Sequence, residues 1–250
     1  MRKIVYLTID DCPTKDFKEK IDFLISHHIP AILFCIGQDL QQFPAEIKYA
    51  LTQGYIIGNH AWSHKSFSDL SIEECKEEIK RTDDLINALH ASLHMERQFF
   101  LFRFPFMDKG GYNNNSEFNQ QWLSPYTQPE KKNTIQAYLR SLGYRQPLFS
   151  GIHQPWYLEH KLHEDADIFL TFDQKEYYLD TKDAPHGLEQ ETAILARIEE
   201  DRPLQRRSLN RNDWADIILI HDHIHTTELF YKIIRRYIDK GFSFQLPVVK

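Results

Sequence analysis

The sequence predicts an α/β fold, a distorted (β/α) barrel of about seven parallel strands, on three observations. Short apolar runs alternate with stretches of helical periodicity, the pattern of a parallel sheet joined by crossover helices. The runs are apolar almost throughout, as strands covered on both faces are. Residues able to do chemistry, Asp10, Asp11, His60, His64, Arg103 and His221, fall just after strands, and barrels of this kind gather functional side chains at that edge.

Residues 3–9 read as the first strand and end at Asp10-Asp11. A helix follows over 15–28, with Phe17, Ile21, Leu24 and Ile25 at helical spacing. The second strand, 31–36, closes at Gly37, and a helix covers 45–51 before Gly54. The third, 55–57, leads into Gly58-Asn59-His60. Ser71 and Glu74 form a capping box that starts a helix over 71–93. Strand 98–102 ends at Arg103, and an irregular loop with Gly110-Gly111 and Asn113-Asn114-Asn115 follows. Helix 133–142 stops at Gly143. Runs 148–152 and 167–172 are further strand candidates. The polar stretch 180–213 carries a helix near 189–200. Strand 217–220 ends at His221, then come helix 226–240 and a last strand, 242–246. There is no internal repeat.

A chain of 250 residues fits one domain, 1–250, with loop insertions near 107–132 and 178–213. Its 17 Phe and 12 Tyr argue against disorder. A net charge of −6, with both signs mixed along the chain, leaves no footprint for nucleic acid or an anionic membrane. No apolar run is long enough for a membrane span. Cys12, Cys35 and Cys75 cannot all pair, and their spacing matches no zinc-finger pattern. The segment 4–7 is too short for a signal h-region, so the expectation is cytoplasmic if Met1 is the natural start, and export to the envelope otherwise. The oligomeric state is open.

His60 and His64 lie four apart, one helical turn or one tight loop. Two imidazoles and a carboxylate suit a divalent metal with a position left for water. The pair alone is a weak signal, and Ala61 stands where zincins carry the Glu base. Asp10-Asp11 supplies what is missing. Adjacent carboxylates at a buried strand end repel unless a cation neutralises them. One can ligate the metal while its neighbour takes a proton from water; the bland reading is a turn or cap.

The segments Thr8-Ile9-Asp10-Asp11, Gly58-Asn59-His60-Ala61-Trp62-Ser63-His64, Arg103-Phe104-Pro105-Phe106 and Leu219-Ile220-His221-Asp222, with 29–37 as a second strand, resemble the ordered motifs of polysaccharide deacetylases, carbohydrate esterase family 4. The resemblance spans residues 3 to about 225. It implies a barrel of that family's type and hydrolysis of N-acetyl groups from an amino-sugar polymer or oligomer. It implies Asp10 as general base and Asp11, His60 and His64 as metal ligands. It further implies Arg103 orienting Asp10, the Phe106 backbone N–H binding the oxyanion, His221 as the acid, and Leu219 lining the acetyl pocket. Zn2+ is the default metal; Co2+, Ni2+ and Mn2+ suit the same donors.

Two departures from the family pattern stand out. Cys12 occupies the place of a Gly after the Asp pair, as an accommodated side chain or a competing ligand. The motif expected to pair an Asp with His221 aligns Ile152 at the acid and Trp156 four residues on. Asp173, with Tyr177 four residues later, is the preferred partner of His221, since an imidazolium acid needs a carboxylate. Trp156 or Tyr177 then forms the apolar wall. Tyr112, Trp122 and Tyr126 are candidates to stack on sugar rings or to pack their loop. His223 and His225 are read as surface residues, and His27, His28, His90 and His94 as surface or packing ones. Two other readings stay open: hydrolysis of another C–N amide bond, and a barrel that binds carbohydrate without turnover.

Overall fold

A computed structural model describes residues 2–111, 128–182, 184–202 and 209–249. Six strands form one sheet: β1 (Ile4–Cys12), β2 (Ile32–Cys35), β3 (Ile56–Asn59), β4 (Phe172–Asp173), β5 (Asp216–His221) and β6 (Ser243–Phe244). Their order is β3-β2-β1-β5-β4, with β6 also on β1, and every pairing is parallel. Eight α-helices are described: α1 (Phe17–Ser26), α2 (Gly37–Gln42), α3 (Pro44–Thr52), α4 (Ile72–Ser92), α5 (Pro129–Ser141), α6 (Pro155–Glu159), α7 (Glu191–Ala196) and α8 (Thr227–Asp239). None of the described helices is long and apolar enough to cross a membrane.

The seventh parallel stave is one residue deep. Phe102 bridges Asn59 in parallel, with Asn59 N–H donating to Leu101 O (2.8 Å) and Arg103 N–H to Asn59 O (3.1 Å). Ile168 N–H then donates to Phe102 O at 2.8 Å, just before β4. Hydrogen bonds thus lead from β3 back to β5, as the path of a small distorted barrel does.

Strand parity divides the apolar residues between two cores. Val5, Leu7, Ile9, Leu33, Cys35, Ile218 and Ile220 pack outward with Leu24, Ile47 and Ile233 of the helices. The alternate residues face inward: Ile32 and Phe34 with Leu101 and Ile168, and Tyr6, Ile217 and Leu219 with Phe169. At the level of Thr8 and Asp10 the inward column turns polar, and Arg103, itself fully buried, spans it.

α4 begins with the expected capping box, Ser71 and Glu74 each bonding the other's backbone N–H. The run 148–152 is not a strand; it makes a single antiparallel bridge, Leu148 to Val248. Pro147 has no N–H to donate, and Gly151 sits at φ +81°, so the run cannot hold a ladder. The loop aromatics Tyr112, Trp122 and Tyr126 lie outside the described residues.

Candidate metal and catalytic site

The C-terminal ends of β1, β3 and β5 and the bridge residue Phe102 carry the predicted side chains to one place. Consecutive strand residues normally face opposite sides of a sheet, so Asp10 and Asp11 should part. They do not, because β1 and β2 lose register between Ile9 and Cys12 and Asp11 takes φ +60°. That bulge turns both carboxylates toward the barrel mouth. Ala61 (φ +63°), His64 (φ +54°), Phe106 (φ +55°) and Met107 (φ +56°) share the left-handed conformation, at about 1–2 kcal/mol for an ordinary side chain. With Asp11, five of the eleven described non-glycine residues at positive φ meet at this mouth, and strain of that kind recurs at functional sites.

Asp11 is the hub. Its Oδ1 lies 3.4 Å from His60 Nε2 and 3.1 Å from His64 Nε2. Burial alone would raise its carboxyl, but contacts with His223, His60 and His64 hold it well below the usual carboxylate range. Burial pulls His60 down, and Asp10 and Asp11 raise it past that to above the ordinary imidazole value. His60 is fixed from behind by Arg103 O, 2.8 Å from its Nδ1, which leaves Nε2 for the site. The donor atoms of Asp11, His60 and His64 all lie within 4.8 Å of one another. Asp11 Oδ1 is buried without a hydrogen bond among the described residues. A buried carboxylate oxygen lacking a hydrogen bond, facing two imidazole nitrogens, suits a divalent metal ion.

The loop between the two histidines is clamped from α4. Glu78 Oε2 accepts from the N–H groups of Trp62 (2.9 Å) and Ser63 (2.7 Å), and Oε1 from Ser63 Oγ (2.8 Å).

Asp10 is buried and belongs to Arg103. Arg103 Nη1 donates to Asp10 Oδ1 at 2.7 Å and to Thr8 Oγ1 at 2.7 Å, and Nε donates to Ile168 O at 3.1 Å. The guanidinium also lies over the Phe34 ring, 4.3 Å from its centre. Asp10 pairs directly with His221 across β1 and β5.

The acid partner of His221 is Glu176, not Asp173. His221 Nδ1 lies 3.0 Å from Glu176 Oε1, which also accepts the His221 backbone N–H. Asp173 Oδ1 accepts the Lys175 N–H at 2.9 Å, and Oδ2 accepts the Tyr177 hydroxyl at 3.3 Å. A short acid that bonds its own backbone two residues on closes a local turn, and that turn presents the longer Glu176 instead. Burial would lower the His221 imidazole, but Glu176, with Asp11 and Asp10 beyond it, carries it up to about 10.

The apolar wall is double. The Tyr177 ring meets His221 edge-on at 4.9 Å, while Trp156, on α6, packs against the inner cluster that contains Leu219. Phe106 is half exposed, its ring 4.6 Å from that of His64. Cys12 is an accommodated side chain: its thiol points into the outer core at Ile9 O (3.5 Å), and burial and neighbouring Cys35 push it well above the usual thiol value.

His223 was expected at the surface and instead lies against Asp11, with Nε2 2.7 Å from Oδ2. The signal was its parity with His221, two residues earlier at the end of β5. Glu176 and Glu78 had no such signal, since each reaches the site by a tertiary path.

Residues 1–124 match the family model for polysaccharide deacetylase. A peptidoglycan-N-acetylglucosamine deacetylase of Bacillus cereus is 35% identical over 86 residues, 34% of this chain and 31% of that protein. The aligned stretch therefore spans about a third of that relative's length. The peptidoglycan deacetylase PdaC of Bacillus subtilis superposes with a TM-score of 0.59 at 22% identity, over 97% of this chain and 87% of that one. A family 4 carbohydrate esterase pseudoenzyme of Bacillus anthracis superposes at 0.57 and 16% identity, over 97% and 63%. At these identities the two structures speak for the fold alone. The first 124 residues, just under half of the chain, thus match the polysaccharide deacetylase family, and the chain as a whole shares the fold of these two structures.

Proposed function

We propose that the protein is a metal-dependent N-deacetylase of N-acetylated amino sugars in an oligo- or polysaccharide. The carrying observation is the pair Asp10 and His221, neighbours across β1 and β5 and each bound to a partner of opposite charge. Arg103 is ion-paired with Asp10, and Glu176 favours His221 as imidazolium. A carboxylate and an imidazolium side by side, each oriented by its own partner, are what a base and an acid require. A barrel that only bound carbohydrate would need neither.

Asp11, His60 and His64 would hold the metal, which when bound supplies Lewis acidity that polarises an acetyl carbonyl and makes water more acidic. Asp10 takes the proton of the attacking water at its carboxylate, oriented by Arg103. The Phe106 backbone N–H is the proposed donor to the oxygen that becomes negative. With Nδ1 engaged by Glu176, His221 gives its Nε2 proton to the sugar nitrogen, and the C–N bond breaks to leave acetate and a free amine. Leu219 and Trp156 enclose the methyl group, and Tyr177 keeps water from the acid. Zn2+ is the proposed metal, and the named activity of the Bacillus cereus relative supports an acetylated glucosamine unit as substrate.

Acetate release from chitooligosaccharides and peptidoglycan fragments tests this. Zn2+-loaded protein should release acetate, and Asp10→Asn should lower the rate by about 10²–10⁴. Full metal binding with no acetate from any acetylated sugar would sink the proposal in favour of another amide or a binding barrel.

A further inference from the structure

Asp11 makes one contact that ligation does not explain. His60 and His64 face its Oδ1; a third imidazole, His223, meets the other oxygen, Oδ2, at 2.7 Å through Nε2. The segment carrying His223 is anchored. Its carbonyl oxygen accepts from Lys20 Nζ at 3.0 Å, and Lys20 is itself buried in an ion pair with Asp222 at 2.5 Å. Asp222 further accepts the Thr14 N–H (2.8 Å) and hydroxyl (3.0 Å). The His223 ring is stacked between His221 and His225, with centroids 5.3 and 5.5 Å away. Its Nδ1 is buried and has no hydrogen-bond partner among the described residues, and since a carboxylate can only accept, Nε2 is the donor of the hydrogen bond to Oδ2. His223 is thus an oriented donor aimed at one oxygen of Asp11.

We propose that His223 is the positioning residue of the metal ligand Asp11, holding Oδ2 so that Oδ1 alone is offered to the metal. This rests on Asp11, His60 and His64 being the ligands. A carboxylate with one oxygen tied cannot rotate or chelate through both, so the metal meets a ready-made monodentate donor. Such outer-sphere partners are typically worth about 10–100-fold in metal affinity.

The test is the Zn2+ dissociation constant of the whole chain, by competition with a chromophoric chelator, for wild type, His223→Phe and His223→Gln. Phenylalanine keeps the stacked ring and loses the donor; glutamine restores an N–H at similar reach but is a poor zinc ligand. His223→Phe should bind about 10–100-fold more weakly, and His223→Gln should recover most of the loss. Binding by His223→Phe within about twofold of wild type overturns the proposal. So does a His223→Gln protein as defective as His223→Phe with an altered Co2+ absorption spectrum, since His223 would then be a ligand itself. If His223→Phe does not fold, His223→Leu takes its place under the same limits: binding weakened beyond about twofold supports positioning, and binding within about twofold of wild type overturns it. Wild type that binds no Zn2+ would overturn the ligand set, and this proposal with it.

Discussion

Asp10 and Asp11 are adjacent, yet one is bound by a guanidinium and the other by three imidazoles. The Asp10–Arg103 pair is buried on both sides, so removing one partner leaves an uncompensated charge. Arg103→Met should destabilise the fold by about 3–5 kcal/mol in chemical denaturation. Adding Asp10→Asn to it should return part of that loss, because the orphaned charge is gone. His221 behaves in the opposite sense. Its folded pKa, raised to about 10, lies above the ordinary value near 6.5. Its contribution to stability is therefore complete below about pH 6.5 and lost as pH rises through the folded value near 10. Glu176→Gln should move the alkaline limb of the pH–rate profile down toward the ordinary histidine range. An unmoved limb would mean that Glu176 does not set the His221 proton.

At the level of elements, the histidine loop is shaped by α4 and α2 rather than by its own sequence. Glu78 ties Trp62 and Ser63, and Arg81 lies over the Trp62 ring at 3.8 Å. Gly37, the first residue of α2, leaves the room: a Cβ there would come within 2.4 Å of Trp62 Cε3 and of Thr82 Oγ1. Gly37→Ala should cost about 1–3 kcal/mol as overpacking and weaken metal binding by displacing the loop. A melting temperature and Zn2+ affinity both equal to wild type would contradict that coupling. The elements that repeat a period were legible in the sequence: β1, β2, β3, β5, α1, α4 and α8 stand where the apolar spacing put them. The run 148–152 failed because apolar content was read without the constraint of Pro147 and Gly151. The meeting of Asp11 with His60 and His64, and of Asp10 with Arg103, was legible because these residues follow strands directly. Glu176 was not, because the Asp173 turn that displaces Asp173 from His221 is a local choice that strand spacing does not encode.

Across the whole molecule, the candidate metal site at the barrel mouth brings together residues 11, 60 and 64, hence β1 and the loop after β3. A ligand that binds only the folded state stabilises it by mass action, about 2.7 kcal/mol at one hundred times its dissociation constant. Zn2+ should therefore raise the unfolding midpoint of chelator-stripped protein, and Asp11→Asn should abolish most of that rise. The fold places His221, Asp10 and the cluster of Asp11, His60 and His64 on one edge because strands deliver their last inward residues there, and the bulge at Asp11 adds the residue that parity would have sent outward.

The most direct measurement is acetate released from a chitooligosaccharide as Zn2+ is titrated into chelator-stripped protein, with bound metal counted in the same samples. The site described here predicts release that rises with occupancy and levels off at one metal per chain. Equal release without metal, or none at full occupancy, would contradict it.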